Sequence, residues 1–484
     1  MQRTSRRSFL TSMACAAVGV VAGRAMAAVG AKTRSRPNVL LVAIDDLNDW
    51  VRFLGGHPDT KTPNMDRLAS RGVLFDNAHC QGPICNPSRT SLMYGLRPST
   101  TGIYMNRPTP WQVPAFGRRV SMPRHFAAHG YKTLTTGKIY HGSGLPKNDF
   151  EVVGPRHSQR IKLDQQIQQN LPKGGAGLWD FGPQAYEEAK FIDHVDATWA
   201  AERLREPHDR PFVMAVGFYR PHVPFYAPER IFHDVPRNTV TLPPVKDDDR
   251  DDLPESAKTL TTIGSPPPHR WFVENKKWKE AVQAYLACIR WTDEQVGRVL
   301  DALDSGPYAD NTLVVLYSDH GFHLGEKQRW AKFSLWERST HVPLIVAGPG
   351  IAGGKRCHRP VELLSIYPTL IDLCGLEARA DLDGTSLGPL LDNPDAPWAP
   401  PAITTLGLNN HAIRTERWRY IRYADGAEEL YDHASDPNEW RNLAGDPQHA
   451  DLKARLARWL PKTNVPDLAK TTPRTRKPRK KKEA

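Results

Sequence analysis

Three stretches far apart in this sequence share one pattern: an unbroken apolar run closed at its carboxyl end by side chains that carry chemistry. "RPNVLLVAIDDLND" is apolar from Val39 to Ile44 and ends in Asp45 and Asp46. "NTLVVLYSDHG" is apolar from Leu313 to Tyr317 and leads into Asp319 and His320, while "PFVMAVGFYRPHVPF" is apolar from Phe212 to Val216 and leads into His222. Runs of this length suit strands buried on both faces, as in a parallel sheet covered by helices. In open α/β sheets the ligand crevice lies beyond the carboxyl ends of the strands, so the three segments are predicted to deliver their polar groups to one edge. The expected fold is therefore α/β, a large and mostly parallel sheet sandwiched by helices.

A chain of 484 residues can bury a large core as one big domain or two unequal ones. Helical spacing is clearest in "WKEAVQAYLACIRWTDEQVGRVLDALDSG", stopped by Ser305-Gly306, and in the shorter "TPNMDRLASRG", with Pro63 near its start and Gly72 as its stop. Between residues 141 and 275 the chain is rich in Pro, Gly and charge and reads as long loops with few elements. Beyond residue 375 short alternating segments and the helical "DLKARLARWL" predict a smaller α/β subdomain with an antiparallel sheet. The expected division is a signal at 1–27, a main domain at 28–375, the subdomain at 376–465 and a basic, disordered tail at 466–484.

The formal charge of +12 sits at the ends. Arg3, Arg6, Arg7 and Arg24 lie in the first 27 residues, and "KTTPRTRKPRKKKE" closes the chain, which leaves the body close to neutral. That argues against a nucleic-acid surface. "SRRSFL" is a twin-arginine pair followed by a short apolar stretch, and "AMA" precedes Ala28 as a small-x-small cleavage site, so the protein is expected to be exported to the periplasm or beyond, with a mature chain beginning near Ala28. No segment is apolar enough to remain in a membrane. Six cysteines are present, and removal of Cys15 with the signal leaves an odd number. Cys85 is the candidate for the odd one, and Cys80 is open to a disulfide with any of the others.

In "GPICNPSRTSLMYG", Pro87 suits the first turn of a helix, which puts Cys85 at or just before a helix amino terminus. That end favours an anion, and Arg89 returns to the same face four residues on. Alone, the stretch is equally well a buried structural thiol. Its wording, however, resembles the sulfatase signature C-x-P-S-R…G, in which the cysteine is oxidised to formylglycine before export. Further pieces are similar to that family's in the family's order: "AIDD", "GKIYH", "RPHVPF", "SDHG" and "WAKFSLWERSTHVPLIV", with a gap over residues 145–210. The texture, "RPH" and "SDHG" above all, resembles the iduronate-2-sulfatase-like branch, within the alkaline-phosphatase superfamily.

The resemblance implies Asp45, Asp46, Asp319, His320 and the converted Cys85 as ligands of one divalent cation. Carboxylates at strand ends form an oxygen-rich nest for such an ion. Calcium is the ion the family implies; a histidine nitrogen is a poor calcium ligand, and manganese or magnesium stay open. Any one of these aspartates alone is explained as a turn or cap residue, but that does not account for a double Asp and an Asp-His both ending apolar runs. Arg89, Lys138, His141, His222 and Lys332 are the implied catalytic groups. Lys138 and His141 stand three apart and share a face if "GKIYH" turns helically.

The implied mechanism has the aldehyde hydrate attack sulfur, the metal and Arg89 acidifying it. Lys138, His222 and Lys332 neutralise the sulfuryl oxygens, and His222, with or without Lys332, protonates the leaving sugar oxygen. His141 then takes the proton of the second hydroxyl, expelling sulfate. The implied partners are a sulfated carbohydrate and a formylglycine-generating or anaerobic sulfatase-maturing enzyme. His323 is given no role, with a supporting or a substrate-facing place as alternatives to an ordinary hydrogen-bonded histidine; Lys327 and Arg329 stand close to the metal segment, but a solvated loop explains them as well. A phosphodiester or phosphonate monoester hydrolase of the same superfamily, and a non-catalytic binder of sulfated glycans on the same fold, are the alternatives.

Overall fold

The run Asn38–Asp45 is a strand with every residue buried, and its side chains divide cleanly between two cores. Leu40, Val42 and Ile44 enter one cluster with the helices Pro63–Ala69, Ile192–Arg205 and Trp278–Asp304. Val39, Leu41 and Ala43 enter the other, with Cys85–Tyr94, Met122–Ala128 and Ile366–Leu373. Alternation along one strand thus feeds both faces of a three-layer α/β/α sandwich. The structure is a computed structural model and describes residues 36–142, 144–155, 166–168, 170–172, 178–185, 187–264 and 266–471. The expected signal at 1–27 and most of the expected basic tail lie outside the described residues.

The sheet has eight strands in the order Lys355–Cys357, Gly72–Phe75, Leu344–Ala347, Thr312–Ser318, Asn38–Asp45, Phe212–Pro221, Lys132–Gly137 and Val152–Val153. It is mixed: Leu344–Ala347 runs antiparallel to both its neighbours, and the remaining contacts are parallel. Ile44 pairs with both Ser318 and Phe218, and Gly137 pairs with Gly217, so four parallel strands finish at nearly the same height. Asp45, Asp319, His222 and Lys138 all follow from that shared edge.

The region 141–275 holds more regular structure than its composition predicts. The helix Ile192–Arg205 packs on the sheet through Ala197, Ala200, Ala201 and Leu204. Small alanines and two buried aspartates, Asp193 and Asp196, mask the apolar periodicity that would have revealed it. Cys80, Cys85, Cys288 and Cys357 are free thiols, so Cys80 forms no disulfide with them. Their places explain this, since Cys80 donates to the Ser339 carbonyl at 3.7 Å, Cys357 to the Pro394 carbonyl at 3.3 Å, and Cys288 lies in the opposite core. Residues 466–471, assigned above to a disordered tail, are held: the Val465 and Leu468 amides donate to the Ser99 and Gly102 carbonyls, and Leu468–Thr471 is helical. Among the described residues no helix is long and apolar enough to cross a membrane.

The carboxyl-terminal sheet is an antiparallel meander of Ala402–Thr405, His411–Arg414, Trp418–Arg422 and Glu428–Asp432. One face, through Ile413, Tyr420 and Leu430, packs with Leu456 of the helix Ala450–Ala457. The other, through Ala412, Ile421 and Tyr431, packs on Ile84, Leu335 and Trp336. Glu337 fastens this contact: Arg414 Nε lies 3.1 Å from it, the Arg419 guanidinium also pairs with it, and Arg419 Nε lies 2.5 Å from Glu439. Glu337→Gln leaves two buried guanidinium groups short of a carboxylate and should destabilise the fold by about 3–5 kcal/mol. Denaturant unfolding measures the loss, and a change under about 1 kcal/mol would mean the carboxylate is not what fastens the sheet.

Candidate active site

Cys85 is the first residue of the helix Cys85–Tyr94, with Ile84 extended before it, and its side chain is fully buried. The helix start has no acidic residue in its first turn to offset its partial positive charge, although the Asn86 amide is spent on Asn106 Oδ1 at 3.2 Å. Around the sulfur stand Lys332 Nζ at 3.2 Å, His320 Nε2 at 3.3 Å and Lys138 Nζ at 3.7 Å, and the His141 side chain is near enough to help lower its pKa. Burial by itself would raise the thiol pKa, but Lys138, Lys332 and His320 outweigh it and hold Cys85 well below the ordinary thiol range. Cys80, buried without such neighbours, is pushed up.

Three carboxylates lie on the same side. Asp45 ends its strand; Asp46 takes a left-handed backbone with φ of 63°. That conformation is rare for a residue with a side chain and is held from both directions. The Asp46 amide donates to Asp319 Oδ1 at 3.1 Å, and the Tyr285 hydroxyl donates to the Asp46 carbonyl at 2.7 Å while accepting the Asn48 amide at 3.0 Å. Tyr285 comes from the middle of the long helix Trp278–Asp304, where the sequence shows it only as one more core residue.

Arg89 lies beneath the cluster. Its Nε donates to Asp319 Oδ2 at 2.7 Å and its Nη2 to Asp45 Oδ1 at 3.0 Å, while Nη1 donates to the carbonyls of Lys138 and Ile139. Its place on the face of the helix start suited an anion; here it forks onto two carboxylates and the next loop. Lys138 pairs with Asp45, and Lys332 Nζ lies 2.6 Å from Asp46 Oδ1. Burial pushes Asp45 up, yet Lys138, His222 and Arg89 bring it well below the usual carboxylate range. In Asp319 burial prevails over Arg89 and His320, and its pKa rises to about 6.

The segment after the strand Lys132–Gly137 is not a helix; it bends through residues 138–142. Gly137 turns it with φ of 69°, a conformation open to glycine, and a Cβ there would lie 2.0 Å from the Gly217 carbonyl. The Lys138 amide then returns to that carbonyl at 2.8 Å. Lys138 and His141 both reach Cys85 by this bend. His222 Nε2 lies 3.9 Å from Asp46 Oδ2, with Nδ1 against the Val223 carbonyl at 2.6 Å. Buried Arg220 fixes that loop by donating to the His222 and Tyr226 carbonyls, a role its neighbour in "RPH" concealed.

His323 does not face the site. Its Nε2 contacts Ser334 Oγ at 2.9 Å and its Nδ1 the Glu326 carbonyl at 3.2 Å. Lys327 and Arg329 are buried, not solvated: Lys327 lies 2.9 Å from Asp249 Oδ1, and Arg329 donates to the Thr261 and Lys332 carbonyls. Arg329 thereby helps to hold the backbone of Lys332. The Phe333 amide, bonded to the Pro83 carbonyl at 3.2 Å, ties the same loop to the approach to Cys85.

Among the described residues, ligand atoms of Asp45, Asp46, Cys85 and His222, and of Asp45, Cys85, Asp319 and His320, lie within 4.8 Å of one another. Asp46 Oδ2 is buried with no hydrogen-bond partner. An orphaned carboxylate oxygen amid two further carboxylates and an imidazole is a donor set that fits a divalent cation.

Residues 37–376 match the family model described as "Sulfatase", and residues 325–465 match "N-sulphoglucosamine sulphohydrolase, C-terminal". A protein of Formosa agariphila named "Sulfatase" is 40% identical over 447 residues, covering 90% of this chain and 88% of that one. The human protein named "Iduronate 2-sulfatase" is 28% identical over 540 residues, covering 90% of this chain and 97% of its own. The crystal structure of a phosphonate monoester hydrolase of Agrobacterium radiobacter superposes with a TM-score of 0.74 at 23% identity, over 87% of this chain and 94% of that one, a likeness of fold.

One titration follows from the cluster. Burial and Lys332 lower the His320 pKa, but the negative charges of Asp319, Cys85 and Asp46 together outweigh them and raise it to about 9, so the ring carries a proton near neutral pH. A cation taking Nε2 must displace that proton. Cation affinity should therefore rise with pH up to about 9, with close to one proton released per ion. Calorimetry in buffers of different ionisation enthalpy measures the release, and His320→Asn should abolish this contribution.

Proposed function

The chain belongs to the sulfatase family and is a sulfuric ester hydrolase, and on that premise we propose that it removes sulfate from a sulfated carbohydrate, with residue 85 as nucleophile. The observation that carries the reading is the surroundings of Cys85: a helix amino terminus, two lysines and a histidine within 3.7 Å of its sulfur, beside three buried carboxylates. Such a site receives a cation and a doubly oxygenated anion together. The name of the human relative supports a sugar substrate of the iduronate 2-sulfate type.

In this reading a formylglycine-generating or anaerobic sulfatase-maturing enzyme converts Cys85, and the hydrated aldehyde supplies an oxygen nucleophile with a second hydroxyl. A divalent cation, calcium by resemblance, would be held by Asp45, Asp46, Asp319, His320 and residue 85, and supplies positive charge there. The rest falls to the chain's own groups. Lys138 and Lys332, whose ammonium groups lie beside both the carboxylates and residue 85, bind the sulfuryl oxygens. His222, 3.9 Å from Asp46, gives a proton to the leaving sugar oxygen. His141 is kept neutral near pH 7 by burial, and its Nδ1 has no hydrogen-bond partner, so it is fitted to take the last proton. Arg89 holds Asp45 and Asp319 in register beneath. The pair "SRRSFL" and "AMA" support export by the twin-arginine route to the periplasm or outside.

Matured protein should hydrolyse an aryl sulfate far faster than an aryl phosphate diester, and should release sulfate from at least one member of a panel of defined sulfated glycans. A phosphodiesterase preference would favour the phosphonate and phosphodiester reading instead. Mass spectrometry should find the Cys85 peptide converted, and an active preparation with an unmodified thiol would overturn the aldehyde. Cys85→Ser retains a nucleophile but not the second hydroxyl, so it should become sulfated once and turn over at least about 100-fold more slowly. Steady turnover at the parent rate would sink the mechanism.

A further inference from the structure

Residues 77–148 contain nine lysines and arginines and no aspartate or glutamate, in a chain where 53 of 484 residues are acidic. Three of the nine have clear employment: Arg89 and Lys138 serve the site, and Arg97 pairs with Glu362 at 2.5 Å. Among the described residues, Arg107, Arg118, Arg119, Arg124 and Lys147 form no ion pair. Asp149, the carboxyl that ends the acid-free stretch, is buried and accepts the Ser121 and Tyr140 hydroxyls.

Two of these cations, Arg124 and Lys147, line a cleft of about 320 Å³ whose floor includes Tyr94, Trp111 and Phe116. Tyr94 and Phe116 meet edge to face at 5.0 Å, and Trp111, partly exposed, stands edge-on to Tyr140 at 6.0 Å. Arg124 spends one weak bond, 3.4 Å, on the Arg119 carbonyl, and Lys147 is exposed. Aromatic faces beside unpaired cations suit a ring with C–H faces and an anionic substituent.

The cleft is tied to the reaction centre from two sides. Asn86, the residue after Cys85, donates through Nδ2 to the Met105 and Pro108 carbonyls, each at 2.9 Å, and Trp111 follows three residues beyond Pro108. On the other side, Lys147 follows His141 by six residues, a separation that spans at most about 20 Å. We propose that this cleft is a second sugar subsite, in which Arg124 and Lys147 bind the sulfate or carboxylate of the sugar adjoining the one being desulfated. It rests on the carbohydrate reading above and narrows it to polyanionic oligosaccharides.

The test uses full-length matured protein and three disaccharides with the same scissile sulfate, whose neighbouring ring is uncharged, carboxylated or sulfated. For the parent, kcat/KM should be at least about tenfold higher with a charged neighbour, chiefly through KM. Arg124→Gln/Lys147→Gln should lose that preference while staying within about twofold on the uncharged disaccharide. Lys147→Gln alone, at an exposed position, should lose part of it, which covers the case of a poorly folded double variant. The ranking of carboxylate against sulfate identifies the anion. A parent without the preference, variants that keep it, or variants that lose equally on all three would overturn the subsite. If the parent hydrolyses aryl sulfate but none of the disaccharides, the carbohydrate reading of the reaction fails. The disaccharides then serve as competitive inhibitors of aryl sulfate hydrolysis, and the same ranking, or its absence, decides the cleft.

Discussion

Arg89 fastens together three elements that the parallel sheet brings to one height. Its guanidinium spans Asp45 at the end of the central strand and Asp319 at the end of its neighbour, and reaches the carbonyls that follow Lys132–Gly137. All of these groups are buried, where a lone carboxylate or guanidinium would be costly. Their mutual pairing offsets that cost, and it brings Cys85 along, since Arg89 lies one turn further on in the same helix. The parallel sheet supplies level strand ends; the arginine sets how the acids at those ends face one another.

Around that pairing the site is overdetermined. Tyr285 holds the left-handed Asp46 from behind, Arg220 holds the loop of His222, and Arg329 with the Phe333 amide holds Lys332. None of these groups touches Cys85 in the way Lys138 or Lys332 does. Their work is to keep flexible lysine and histidine side chains in one arrangement, so that little reorganisation is needed when charge develops. The carboxyl-terminal sheet contributes at longer range. Its inner face shares a core with Ile84 and Leu335, which flank Cys85 and Lys332, and Glu337 locks the two parts together.

The basic stretch 77–148 divides its cations between two places. Arg89 and Lys138 are buried within the site, while Arg124, on the helix Met122–Ala128, and Lys147 line an open cleft. An acid-free run keeps those cations from being neutralised by near neighbours, whereas the surface elsewhere is laced with ion pairs such as Arg230 with Glu188 and Glu294.

Much was legible in the residues themselves. Apolar runs closed by Asp45-Asp46, Asp319-His320 and His222 are local patterns, and a buried parallel sheet has few other ways to use them. The helix start at Cys85 and the long helix at Trp278 were equally local, written in proline placement and spacing. Tertiary structure alone decided what pairs across more than two hundred residues: Arg89 with Asp319, Tyr285 with Asp46, Lys332 with Cys85. It also decided that Lys327 and Arg329 are buried supports, that Cys80 stays a thiol, and that a helix of alanines and aspartates lies at Ile192–Arg205. The physical reason is the same in each case. Periodicity and turn chemistry act over one or two turns of chain, whereas the partner of a buried charge is chosen by how the layers pack, and a charge that packing buries must find its partner there.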